Sequence, residues 1–134
     1  MKLLLASGAI LGFVSVTFGA YSEHGLKPNV TAEDFRFLMT AVRYNQINSA
    51  VICSIGLFVL IDNKTSNKLF KISGLTFVAG TVLFSFSIYL SILLNISSIQ
   101  YLTPVGGITL MAAWMLLFVA ALKYKNPASP RQEG

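Results

Sequence analysis

Apolar residues run almost without interruption from Leu3 to Ser22, from Tyr44 to Ile61 and from Ile72 to Leu122, and the polar positions gather between these runs. The first run holds 20 residues, about 30 Å as a helix, which matches the hydrocarbon thickness of a bilayer. The last run is too long for one crossing, and a polar turn from Asn95 to Thr103, with Ser97, Ser98, Gln100 and Tyr101, divides it in two. The pattern therefore predicts four spans, at 3–22, 44–61, 72–94 and 103–122, with Thr103 and Pro104 as N-cap and first residue of the fourth.

The segment before the second span has a different period. Thr31 and Asp34 are spaced as a helix cap and its carboxylate, and Phe35, Leu38, Met39 and Val42 then recur at helical steps beside Arg36 and Arg43. This predicts a short amphipathic helix lying at the membrane interface. Small residues give a second signal. Gly8, Gly12, Ser15 and Gly19 fall on one face of the first span and invite close approach of a neighbouring helix. Gly80, Ser85, Ser87 and Ser91 offer contact positions in the third span.

Composition sharpens the class. Charged residues make up 11% of the chain against roughly 25% in soluble domains, and none lies among the 51 residues from Ile72 to Leu122. A soluble globule is excluded, and the fold class is all-α: an integral membrane four-helix bundle with the short interfacial helix between spans one and two. Residues 1–122 form one domain, and 123–134 a flexible cytoplasmic tail. Ala20-Tyr21-Ser22 resembles a signal cleavage site, but the apolar run before it exceeds a signal core, so it is kept as a span. Seven of the ten Lys and Arg residues fall at the N-terminus, in the 62–71 loop and in the tail, which places both termini in the cytoplasm. That topology, together with anionic lipid, accounts for the net charge of +5 without a nucleic-acid partner.

Four strings carry a resemblance. Gly19 to Leu26, Ala41 to Tyr44, Phe84 to Leu90, and Thr103 to Gly107 with Trp114 are similar, in order and spacing, to the YgdD/YwdK family of small bacterial membrane proteins. The likeness covers about residues 3 to 122. It implies a multi-pass four-helix protein of the bacterial inner (plasma) membrane, in a family known chiefly as a domain of unknown function. The chain departs from the family pattern at Tyr21, Ser22 and Glu23. Asn45 and Asn48 stand where relatives tend to have Gln and His. Asn48 keeps hydrogen-bonding capacity but not proton transfer.

Topology brings the candidate chemistry to one membrane face. Glu23, His24, Arg43, Tyr44, Asn45, Asn48, Thr103 and Pro104 are expected there, with Tyr89 slightly deeper. Glu23 and Arg43 are matched for a charge-assisted pair, and His24-Gly25 for the C-cap of span one. The cluster reads either as a structural network or as a ligand or lipid site. Catalysis is not expected: one histidine, one cysteine (Cys53) and five carboxylates leave no metal grouping, triad or phosphate loop, and no cofactor is expected. The phenylalanines, Phe84 among them, read as packing or lipid contact. The expected function is that of a small structural or accessory membrane protein. The alternative is a small transporter, channel or ligand-binding module. Expected partners are membrane lipids and either a second copy or another membrane protein.

Overall fold

Thr31 starts the longest helix, and its side chain shows why the helix begins there: the hydroxyl accepts from the Asp34 amide at 3.1 Å and donates to the Asp34 carboxylate at 2.8 Å. In the computed structural model, which describes residues 2–62 and 68–124, four helices are long and apolar enough to cross a membrane. They are α1 (Lys2–Asn29), α2 (Ala32–Ile61), α3 (Lys68–Leu94) and α4 (Ser97–Lys123). Their length and apolar composition make this an integral membrane protein. Neighbours in sequence are neighbours in space. α1 packs along α2, α2 along α3 and α3 along α4, while α4 has no extended contact with α1 or α2.

The separate interfacial helix is not formed. Ala32–Ile61 is one continuous helix of 30 residues, about 45 Å long, so its first turns stand outside a hydrocarbon core of about 30 Å. Two features account for the difference. Between Thr31 and Gly56 nothing in the sequence breaks a helix, and the apolar face at Leu38, Ala41 and Val42 is covered by Ile88 and Tyr89 of α3, with Phe18 and Leu26 of α1 beside them. A face buried by protein has no reason to lie on lipid.

The small-residue stripe of α1 is spent inside the chain, on α2. A methyl group added at Gly8 would sit 2.7 Å from Cys53 Sγ and 2.9 Å from its backbone nitrogen, whereas at Gly12 the nearest atom is 3.6 Å away. Gly56 meets the backbone of Leu5 in the same way from α2. The second close approach, between α3 and α4, is tighter. α3 widens into a π-helical turn at Val82–Phe86, and Gly106 of α4 lies directly against the backbone nitrogen of Phe84.

Two apolar clusters form the core. One surrounds Leu11, Ile52, Ile55, Phe77, Leu110 and Ala113, and the other surrounds Leu38, Val42, Ile88 and Tyr89. On α2 a buried polar layer, Asn45, Asn48 and Ser49, separates them. Hydroxyls then fasten helix to helix: Ser73 donates to the Ala113 carbonyl at 3.0 Å, Ser85 to the Ala41 carbonyl at 2.9 Å, and Ser87 and Thr103 meet at 2.7 Å. Such bonds contribute about 0.6 to 1.7 kcal/mol each between membrane helices.

Both ends of the bundle depart from expectation. Gly25 does not take the left-handed conformation of a helix cap. α1 instead continues through a π-helical turn at Ser22–Leu26 and a 3-10 turn at Lys27–Asn29, and the Tyr21 ring lies over Gly25. Thr103 is not the N-cap of the fourth span either. A 3-10 turn at Ser97–Tyr101 leads directly into helix, which puts Thr103 inside the first turn and frees its hydroxyl for Ser87. At the opposite end Lys123 is still helical, and Tyr124 donates to the Asp62 carboxylate at 2.8 Å, so the chain is fixed two residues into the expected tail. Residues 125–134, and 63–67 of the polar loop, lie outside the described residues.

Candidate functional site

The expected cluster divides into three environments, because α2 turns its polar residues to different sides. Glu23, His24 and Arg43 do meet. They line a groove of about 480 Å³ between the end of α1 and α2, with Gln46 beside them and Val16, Gly19, Met39 and Val42 as apolar walls. The expected Glu23–Arg43 pair is not formed. Glu23 binds Lys27 one turn later at 2.9 Å, a contact that the continuation of α1 past Tyr21 makes available. Arg43 is left exposed on the groove with no ion pair or hydrogen bond among the described residues.

Asn45 and Tyr89 belong to the core. Asn45 is fully buried, and its Nδ2 donates to the Tyr89 hydroxyl at 3.4 Å, while Ser49 donates back to the Asn45 carbonyl. The Tyr89 ring stacks on Phe18 with centroids 4.0 Å apart and packs against Phe86 at 5.6 Å. This is a clasp joining α1, α2 and α3, and it leaves no room for a ligand. Ser22 is buried close to the end of α1, and its hydroxyl has no partner among the described residues.

Tyr44, Asn48, Thr103 and Pro104 face the other side of α2. Tyr44 and Asn48 line a groove of about 410 Å³ with Phe84, Gly107, Leu110 and Trp114, and Thr103 and Pro104 line its neighbour with Phe37, Ile88 and Gln100. Asn48 is 1% exposed, yet its Nδ2 has no hydrogen-bond acceptor among the described residues. Asn45 and Asn48 are thus chemically identical and differently served, one satisfied by Tyr89 and the other open.

Sequence reasoning missed the aromatic members of this second face. In the sequence Phe84 reads only as packing and as part of a family string, and Trp114 only as part of one. The spacing does mark the α2 wall of this face: Phe37, Tyr44, Asn48, Val51, Ile55 and Phe58 follow at steps of seven, four, three, four and three, one stripe along α2, while Phe84 and Trp114 face it from the other helices. Outside the spans, the Asp62 carboxylate that accepts from Tyr124 pushes its phenol above the ordinary tyrosine value, helped by partial desolvation and by the negative charge. Among the described residues no group of His, Cys, Asp or Glu is placed to hold a metal ion.

Residues 18–107 match the model of a family described as a protein of unknown function, DUF423. The chain belongs to this family. Its relatives include the UPF0382 membrane protein YwdK of Bacillus subtilis, 32% identical over 92% of this chain and 99% of the relative. The UPF0382 inner membrane protein YgdD of Escherichia coli K12 is 32% identical over 93% of each. A UPF0382 membrane protein of Staphylococcus haemolyticus is 31% identical over 92% of this chain and 98% of the relative. No solved structure matches. The DUF423 match covers the whole of α2 and α3 and the first turns of α4, so it includes the π-helical turn and Gly106 that set the α3–α4 approach.

Proposed function

We propose that this member of the family is a small, non-catalytic membrane module, with both termini in the cytoplasm, that binds an anionic amphiphile in the groove between α1 and α2. The observation that carries the reading is Arg43. Its guanidinium faces the groove without a counter-ion among the described residues, because Glu23 is committed to Lys27. Arg43 lies about 27 Å along α2 from Ile61, just beneath the headgroups of a core of about 30 Å. A cation and the Gln46 amide at that depth, above walls of Val16, Met39 and Val42, suit a phosphate or carboxylate head with an apolar chain. A conducting role is less well supported, since α3 and α4 carry no charged residue between Ile72 and Leu122.

The test is native mass spectrometry of protein released from nanodiscs of mixed phosphatidylglycerol and phosphatidylcholine. Wild type should retain phosphatidylglycerol selectively, and Arg43→Gln should lose that selectivity at unchanged melting temperature. Equal retention by both proteins would refute the reading. Orientation is checked in intact cells in a Cys53→Ser background. A cysteine at Ser98 should label from outside, and failure to do so would invert the topology.

A further inference from the structure

The grooves that hold Tyr44, Asn48, Thr103 and Pro104 are parts of one feature. The groove at Thr103, of about 290 Å³, shares Phe84 and Gly107 with the groove at Asn48. That one shares Trp114 with a third, of about 390 Å³, which runs on to Phe58, Phe70 and Leu117. Together they make a furrow down the face between α2 and α4, floored by α3, because α4 rests on α3 and stands off from α2. From Phe37 to Phe58 it follows about 32 Å of helix axis, the full thickness of a bilayer core.

Below Tyr44 the lining is apolar or aromatic except for Ser54 and Asn48. Ser54 is satisfied by the Ala50 carbonyl at 2.8 Å, and Asn48 Nδ2 has no acceptor among the described residues. Asn48 lies about 20 Å along α2 from Ile61, well below the ester oxygens of the outer leaflet. Acyl chains offer no acceptor at that depth, and an unpaired amide in hydrocarbon is costly. The acceptor must therefore belong to something that carries oxygen into the membrane interior. Asn48 is also recessed, at 1% exposure, with Nδ2 itself buried, so an acceptor meets it only when the amide turns toward the furrow, and a slender molecule can approach that point where the broad face of a packed helix does not. Around it stand flat rings: Tyr44 and Phe84 meet edge to face at 5.0 Å, and Trp114 is 48% exposed on the facing wall.

We propose that the furrow binds a lipid-soluble carbonyl compound of the quinone class. A ring carbonyl accepts from Asn48 Nδ2 after a small rotation of the amide, the ring lies among Tyr44, Phe84 and Trp114, and the chain follows the furrow toward Phe58 and Phe70. This site is separate from the Arg43 groove and does not rest on the amphiphile reading.

Trp114 is the only tryptophan of the chain and reports on the site directly. Decylubiquinone titrated into the purified protein in detergent should quench Trp114 emission saturably. Asn48→Leu should weaken the binding about 3- to 20-fold, the loss of one intramembrane hydrogen bond. Decylbenzene, which has no carbonyl, should displace the quinone from wild type only at a concentration higher by a similar factor. Quenching that never saturates is partition alone and overturns the proposal, as does equal binding by wild type and Asn48→Leu. If Asn48→Leu fails to fold, the decylbenzene competition on wild type decides, and displacement at equal concentration overturns the proposal. Disulfide trapping of a second helix through Met111→Cys would also overturn it, since the furrow would then be a protein interface. Arg43→Gln should leave the quenching unchanged, so failure here and failure of the amphiphile reading are read separately.

Discussion

Gly106 and Gly107 are adjacent on α4, and substituting each with alanine tests the α3–α4 approach with an internal control. Both substitutions gain about 1 kcal/mol of helix propensity. Only one has room. At Gly107 the new methyl group would lie 3.9 Å from the Phe84 ring, an ordinary contact. At Gly106 it would lie 2.7 Å from the Leu83 carbonyl carbon and 2.7 Å from Phe84 Cα, where carbon atoms prefer about 3.5 to 4.0 Å. The obstacle is backbone, which no rotamer change can move, so the two helices must part by about 1 Å. Overpacking of this kind costs about 1 to 3 kcal/mol. Parting also stretches the Ser87–Thr103 and Ser73–Ala113 bonds on either side, worth about 0.6 to 1.7 kcal/mol each. Gly106→Ala should therefore lose about 2 to 4 kcal/mol, and Gly107→Ala should be neutral or gain up to about 1 kcal/mol. Unfolding of the detergent-solubilised proteins in a denaturing-detergent series, followed by circular dichroism, measures both. Equal shifts in the two variants would mean that α3 and α4 do not meet at Gly106.

The same contrast applies to α1 and α2. Gly8→Ala, with the Cys53 backbone nitrogen in the way, should cost about 1 to 3 kcal/mol, and Gly12→Ala should cost nothing measurable in the same unfolding assay. The Tyr124–Asp62 bond predicts a pH effect. The neutral phenol is the donor and its pKa is raised, so the tie is present below the ordinary tyrosine value of about 10 and is lost as pH rises through the raised one. The phenolate absorbance difference between wild type and Tyr124→Phe should accordingly titrate above the bulk of the tyrosines, and a titration at or below about 10 would remove the bond from the picture.

The spans were legible in the sequence because their signal is thermodynamic and one-dimensional: a charge-free run of sufficient length has no alternative to a membrane helix. The close approach of α1 was legible for a similar reason, since Gly8, Gly12, Ser15 and Gly19 mark one face whatever the neighbour is. What failed were inferences that depend on rotation about an axis. Glu23 and Arg43 share an end of the bundle, but Lys27 lies one turn from Glu23 and takes the carboxylate. Leu38 and Val42 show an amphipathic period, and the period alone does not say whether lipid or another helix covers that face. Asn45 and Asn48 lie three residues apart, close enough to be grouped from sequence. Their offset of about 300° on the helix is small in projection, yet it separates the buried Tyr89 clasp from the α2/α4 furrow.

That separation gives the sharpest distinction between architecture and function in this protein. Asn45 is paired with Tyr89, so Asn45→Leu removes an interhelical bond and leaves the Tyr89 hydroxyl buried without its partner. A loss of about 1 to 3 kcal/mol is expected. Asn48 has a buried amide nitrogen with no acceptor among the described residues, so Asn48→Leu removes a desolvation penalty and costs no described contact of that donor. The variant should match or exceed wild type in stability while the quinone titration of Trp114 shifts to about 3- to 20-fold higher concentration. A residue that weakens the fold and strengthens a binding site is the signature of function retained against stability. Unfolding of both variants in the same micelles checks the contrast. If Asn48→Leu is as damaging as Asn45→Leu, Asn48 is a second structural clasp, and the open amide in the furrow has a partner within the folded chain.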